Sequence, residues 1–203
     1  MKVLIFFFVI SQSYLLGQSW NQVGQNILGS AAGNRAGTSI DINSDGTVMA
    51  IGEPLHDDAG NLVGRVSVYT LQSGSWVLKG SVLTSSNHEE MFGNAVSLSF
   101  DGNIIAIGVK LNDEAGINAG KVCVYQYDGT DWVLYGNILK GASPGDVFGA
   151  SVSLNLAGDR LVVGITGDDT MGESSGKVQV YQMVGGVWTQ LGSAMMGLNA
   201  YHG

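Results

Sequence analysis

The chain has 203 residues, the length of one ordinary domain or a short repeat array. Hydrophobic residues supply 45% and charged residues only 13%, too much to bury and too little self-repulsion for a disordered chain. Nine basic residues stand against 17 acidic ones, a net charge of −8 that argues against nucleic acid, whose phosphates demand clustered Lys and Arg.

Met1-Lys2 is followed by the apolar run Val3 to Ile10 and then by the more polar SQSYLLGQS. This is the layout of a secretory signal peptide over residues 1–19, with cleavage expected between Gly17 and Trp20. Eight apolar residues fall short of the ~20 that span a bilayer, and no later segment is longer. The sequence therefore predicts an exported protein, secreted or at the cell surface, with no transmembrane segment. Cys123 is the only cysteine, so no internal disulfide can form. It sits in the strand-like run KVCVYQY and reads as a strand residue rather than a nucleophile.

From Trp20 onward the chain repeats with a step of 56. Trp20, Trp76, Trp132 and Trp188 keep that interval, as do Gly24, Gly80, Gly136 and Gly192. Gly37, Gly93 and Gly149 follow it, with Gly64, Gly120 and Gly176, and Tyr69, Tyr125 and Tyr181. The units are 20–75, 76–131 and 132–187, with a partial fourth at 188–203.

In the second unit a first strand is predicted around Ser75 to Gly80, and a polar loop leads to NAVSLSF, where Ala95 to Ser99 alternate apolar and small residues. Asp101-Gly102 makes a hairpin turn. The run IIAIG is apolar on both faces, as in a strand buried from either side. A glycine-bearing loop precedes KVCVYQY, and YDGTD turns into the next tryptophan strand. No segment shows helical periodicity with caps.

Four short strands per unit, repeated at a constant step, predict an all-β fold of β-propeller blades that bury their apolar faces against one another. The periodic Trp and Tyr are expected to fill the seams between blades. Solenoid coils usually have shorter repeats, and sandwich strands do not recur with a fixed period. Three blades and the start of a fourth cannot close a ring of 4–8, so the chain is expected to be the N-terminal piece of a longer propeller.

Met91 to Gly108 (MFGNAVSLSFDGNIIAIG) and Val147 to Gly164 (VFGASVSLNLAGDRLVVG) resemble the FG-GAP repeat, the family that builds the propeller of integrin α subunits and of many bacterial surface proteins. Phe92-Gly93 and Phe148-Gly149 match its opening, and Ile51-Gly52-Glu53-Pro54 resembles its closing motif. The first unit departs with Ala36-Gly37, and the later units follow their glycine with Val109-Lys110 and Ile165-Thr166. Kelch repeats are a second relative, with Tyr and Trp seven residues apart in each unit, but the kelch double glycine is absent.

The resemblance implies a calcium loop of the form D-x-[DN]-x-D-G-x-x-D in some blades. Asp41, Asn43 and Asp45 match its opening, whereas the ninth position is Met49. Oxygen ligands at alternate positions around a glycine suit Ca²⁺; the same residues also suit a plain hairpin turn. Asp57, Asp113 and Asp169 recur in the same inter-strand loop of successive units, the one before KVCVYQY in the second, each three residues before a glycine. They read either as a negatively charged binding face or as side chains that close an Asx-turn. The histidines do not recur at the period, and no nucleophile with its base, zinc spacing or phosphate loop is present.

The expectation is a secreted or cell-surface propeller module that binds an extracellular protein or glycan, is not itself an enzyme, and carries Ca²⁺ as its one candidate cofactor. The alternative is the propeller portion of an exported hydrolase or lyase whose catalytic residues lie outside this segment.

Overall fold

Alternating apolar and small residues, punctuated by glycine turns, give each repeat one antiparallel sheet. The computed structural model describes residues 20–58, 61–85 and 87–197. The expected leader and its cleavage region lie outside them. All regular elements among the described residues are strands.

The first sheet orders Ser39–Ile42, Val48–Glu53, Arg65–Gln72 and Ser75–Leu78 from inside to outside. The second orders Phe92–Leu98, Ile104–Val109, Lys121–Tyr127 and Trp132–Leu134. The third repeats the pattern with Phe148–Leu154, Arg160–Ile165, Lys177–Val184 and Val187–Gln190. A two-residue strand, such as Leu139–Lys140, continues each outer edge and pairs with the start of the third strand. The innermost strands of the three sheets pack side by side, so the sheets are propeller blades.

The periodicity fixes the step of the repeat but not its phase. Each tryptophan strand is the outer strand of a sheet that began before it, so Trp76 closes the first blade and Trp188 the third.

The core lies between blades. One cluster joins Val66 and Val68 of the first blade to Phe92, Ile105 and Ile107 of the second. The next joins Val122 and Val124 to Phe148, Leu161 and Val163. Ile104–Val109, covered on both faces, is buried throughout. Arg160–Ile165 instead largely alternates exposed and buried positions.

Two recurring devices set the seams. The Phe-Gly pair sits at a bulge, where the ladder shifts register between Phe92 and Ala95 and again between Phe148 and Ser151. Gly93 adopts φ +85°, and a Cβ there would stand 2.7 Å from Val66 Cγ2 of the preceding blade. Phe92 and Phe148 then drop into the cores, and each bridges the glycine that ends the loop of the blade before, Gly64 and Gly120.

The second device is a clasp. Trp76 Nε1 donates to Val23 O, Trp132 Nε1 to Lys79 O and Trp188 Nε1 to Tyr135 O, at 2.7–3.0 Å. The next residue in each case is the periodic Gly24, Gly80 or Gly136, and a Cβ on it would lie 2.7–2.9 Å from the indole Cδ1. Glycine is thus the seat for the tryptophan 52 residues later.

Candidate functional site

The hairpins that join first and second strands emerge on one face of the array, and the long loops and blade-to-blade connections on the other. Asp41, Asn43 and Asp45 belong to the hairpin face. Asp41 Oδ2 accepts from Leu98 N of the second blade at 2.7 Å, and its equivalent Ser97 accepts from Leu154 N of the third at 3.0 Å. Buried Asn43 accepts from Thr47 N and Val48 N; Ser99 and Asn155 do the same for Ile104 N and Arg160 N. Asp45 Oδ1 accepts from Thr47 N and its hydroxyl, and this bonding holds its carboxyl below the usual range.

Asp41 and Asn43 therefore perform structural tasks that other blades perform with Ser97, Ser99 or Asn155, and the turn that Asp45 closes on Thr47 N is closed in the second blade by Asp101 on Asn103 N. Asp41 Oδ2 is turned to the backbone of the next blade, while Asn43 Oδ1 and Asp45 Oδ1 converge on one donor, Thr47 N. Among the described residues no group of three His, Cys, Asp or Glu is placed to hold a metal.

Asp57, Asp113 and Asp169 are exposed on the loop face. Asp113 Oδ1 accepts from Asn118 N and Asp169 Oδ1 from Ser174 N, both at 2.7 Å, and Asn118 and Ser174 share the left-handed conformation. Both acids thus cap their own loops. Asp57 lies in a short hairpin, opposite Leu62.

Beneath these loops is a polar set that the sequence reading missed. Arg65, Lys121 and Lys177 open the third strand of each blade and keep the step of 56. Lys121, almost wholly buried, pairs with Glu114 at 2.8 Å and Glu90 at 3.2 Å. Lys140 adds a second cation to Glu114 at 2.6 Å. Hydrogen bonds from Lys121 and Lys140 hold the Glu114 carboxyl down at about 2. Burial opposes the charge on Lys121, but Glu114 and Glu90 outweigh it and raise the ammonium above its ordinary range. Burial likewise opposes ionisation of Glu90, yet bonds from Ser85, Asn87 and Asn112 leave it below the usual range.

The other blades repeat the theme with different partners, Lys177 on Asp168 at 2.5 Å and Arg65 on Glu53 at 3.2 Å. Glu53 also accepts from the Ser30 hydroxyl at 2.6 Å. These pairs tie the loops to the strand ends and give the loop face a fixed frame. The available signal was a cation one residue beyond Gly64, Gly120 and Gly176.

Cys123 is buried on the third strand of the second blade, and burial pushes its thiol up to about 11, the state of an inert strand residue.

Where the inner strands begin, a groove of about 180 Å³ opens on the loop face, lined by Arg35, Pro54, Leu55, Met91, Lys110 and Ala150 among others. It draws on all three blades.

Comparison with known proteins assigns the unit that spans the second-to-third seam. Residues 140–181 match the FG-GAP repeat. No curated protein matches the sequence. Among solved structures the chain is similar to two proteins assigned as 6-phosphogluconolactonases. One is from Bacteroides fragilis NCTC 9343 (17% identity, TM-score 0.54, 78% of this chain and 38% of that one). The other is from Bacteroides uniformis ATCC 8492 (11%, 0.54, 78% and 40%). It is also similar to the β-propeller domain of Cps50 (Swd1) from a Myceliophthora species (11%, 0.49, 77% and 38%). The chain spans about two fifths of the length of these structures.

The expectation that the chain is not an enzyme is corrected by this result. The lack of a periodic catalytic set carries no weight when the blade architecture is shared with proteins assigned as lactonases. No helix among the described residues is long and apolar enough to cross a membrane.

Proposed function

We propose that this chain, an array of β-propeller blades that carries an FG-GAP repeat, is a recognition module exported to the cell surface or beyond, which binds an extracellular protein or glycan through its loop face. The supporting observation is the ion-paired frame under the loops. A cation buried or half-buried at the start of every third strand fixes the loop ends, so the exposed residues between them are presented on rigid supports.

Two measurements test the reading. Protein collected from the medium should begin between Gly17 and Trp20; retention in the cell with Met1 intact refutes export. Binding to an array of extracellular matrix proteins and glycans should weaken in Ile117→Asp and Met171→Asp, exposed loop-face variants, at unchanged Tm. Binding that survives both variants refutes the loop-face assignment.

A second reading takes the blades as part of an exported hydrolase or lyase. It is favoured by the fold shared with proteins assigned as 6-phosphogluconolactonases. Turnover of a sugar lactone by the purified protein would support it.

A further inference from the structure

Eight cations lie among the described residues, and most are already engaged. Arg65, Lys121, Lys140 and Lys177 are ion-paired. Lys79 donates to Gly102 O and Asn103 Oδ1 and lies over the Tyr127 and Trp132 rings. Arg35, Lys110 and Arg160 have no carboxylate partner within ion-pairing distance among the described residues. Two of these three, from different blades and 75 residues apart in sequence, line the same groove at the mouth of the array.

Both break the repeat. Arg35 stands where the other units have Met91 and Val147, and Lys110 where they have Pro54 and Thr166. No cation is needed at either position to build a blade. The backbone beneath each is nevertheless fixed. Arg35 adopts φ +56°, and the Thr38 N–H and hydroxyl both donate to its carbonyl. Lys110 N donates to Asn94 Oδ1, and Asn94 Nδ2 donates to Gly149 O and Ala150 O of the third blade. Asn94 thus holds Lys110 in place across the seam.

We propose that this groove binds a carboxylate side chain of an acidic peptide segment between Arg35 and Lys110. Its volume equals about six waters at their share of the liquid, room for one side chain and its neighbour rather than a large ligand. Pro54, Leu55, Met91 and Ala150 supply an apolar wall for the stem of an Asp or Glu. No aromatic ring lines the groove to stack on a sugar, which favours peptide over uronate glycan. The acidic remainder of the surface repels anions elsewhere, so at physiological salt the attraction is confined to about 8 Å around the two cations.

This deepens the recognition reading of the same face and rests on it only for the source of the peptide. The test is an NMR titration of the ¹⁵N-labelled chain with N-acetyl-Asp-Gly amide, N-acetyl-Asn-Gly amide and a galacturonate trisaccharide, at 0.15 M salt. The Asp peptide should give saturable shifts at the Arg35, Lys110 and Ala150 amides, and the Asn peptide none. Arg35→Met and Lys110→Met should each weaken binding about tenfold, as expected for loss of a hydrogen bond to a charged group, with the remaining spectrum unchanged.

Equal shifts from the Asn peptide, or shifts centred elsewhere, overturn the proposal. Tighter binding of the galacturonate through the same two cations overturns the peptide as occupant. Asp-peptide shifts without any macromolecular ligand would sink the wider reading alone, and the reverse result would sink only the groove.

Discussion

Gly108 tests the seam between the second and third blades most directly. Its backbone is ordinary for a strand, so an added methyl meets no conformational penalty, only its neighbours. A Cβ at Gly108 would stand 2.2 Å from Gly149 O, a backbone atom of the next blade, and 3.3 Å from Ala95 Cβ. Carbon–oxygen contacts settle near 3.3 Å at the closest, so in Gly108→Ala the blades must part by about 1 Å. A gap of that size forfeits about half of the dispersion attraction across it, here along the contact that buries Phe148. The expected cost is at the top of the range for overpacked cores, about 3 kcal/mol. With a urea m-value of about 2 kcal/mol/M, the midpoint should fall by about 1.5 M. Gly164→Ala is the control at the same phase: its Cβ would meet Ser151 Oγ at 2.3 Å, a side chain free to rotate, and then nothing nearer than 3.5 Å. Its cost should stay below about 1 kcal/mol, offset in part by the lower entropy of Ala in the unfolded chain. Equal midpoints for the two variants would refute the argument from blade contact.

Four further outcomes are expected. The Glu114 carboxyl is depressed to about 2 in the folded chain from an ordinary value near 4.5, so its contribution is present above about pH 5 and lost as pH falls toward 2; Glu114→Gln should flatten that acid limb in a series of urea melts, and an unaltered limb would count against the Lys121–Lys140 pairing. Asn43→Ala should cost about 1–3 kcal/mol by orphaning the buried Val48 N, while Thr47 N keeps its bond to Asp45 Oδ1, and the melting temperature of the parent chain should be the same in calcium and in EDTA. A calcium-dependent rise would restore the loop as a cation site. Cys123 should resist iodoacetamide in the native chain and react only in denaturant, as mass spectrometry of the alkylated protein would show.

The propeller was legible because seam residues must recur wherever a seam recurs. Trp, Gly, Tyr and Phe-Gly at a step of 56 report that directly. What joins one unit to another was not. The Trp132 indole bonds to Lys79 O, a carbonyl that any residue could supply, so the clasp leaves only half its trace in side-chain identity. The buried cations were overlooked for a related reason. Arg65, Lys121 and Lys177 keep phase, but their partners Glu53, Glu114 and Asp168 do not, because a flexible ammonium or guanidinium can be reached from several loop positions. The hairpin of the expected calcium loop shows the converse. Asp41 and Ser97 look chemically different in the sequence, yet both accept from the next blade's backbone at the same offset.

The clasp has a consequence for how such a protein grows. Each blade carries both halves of the joint: a tryptophan that reaches back and a glycine that receives the tryptophan of the unit ahead. An in-frame duplication of 56 codons, begun at any point in the gene, therefore creates a new seam already equipped with seat and insert. Length can change by whole blades without a single compensating substitution, whereas a codon lost or gained within a strand would turn the side chains beyond it to the wrong face. The absence of any insertion between Trp20 and Trp188 is what selection for that joint would leave behind.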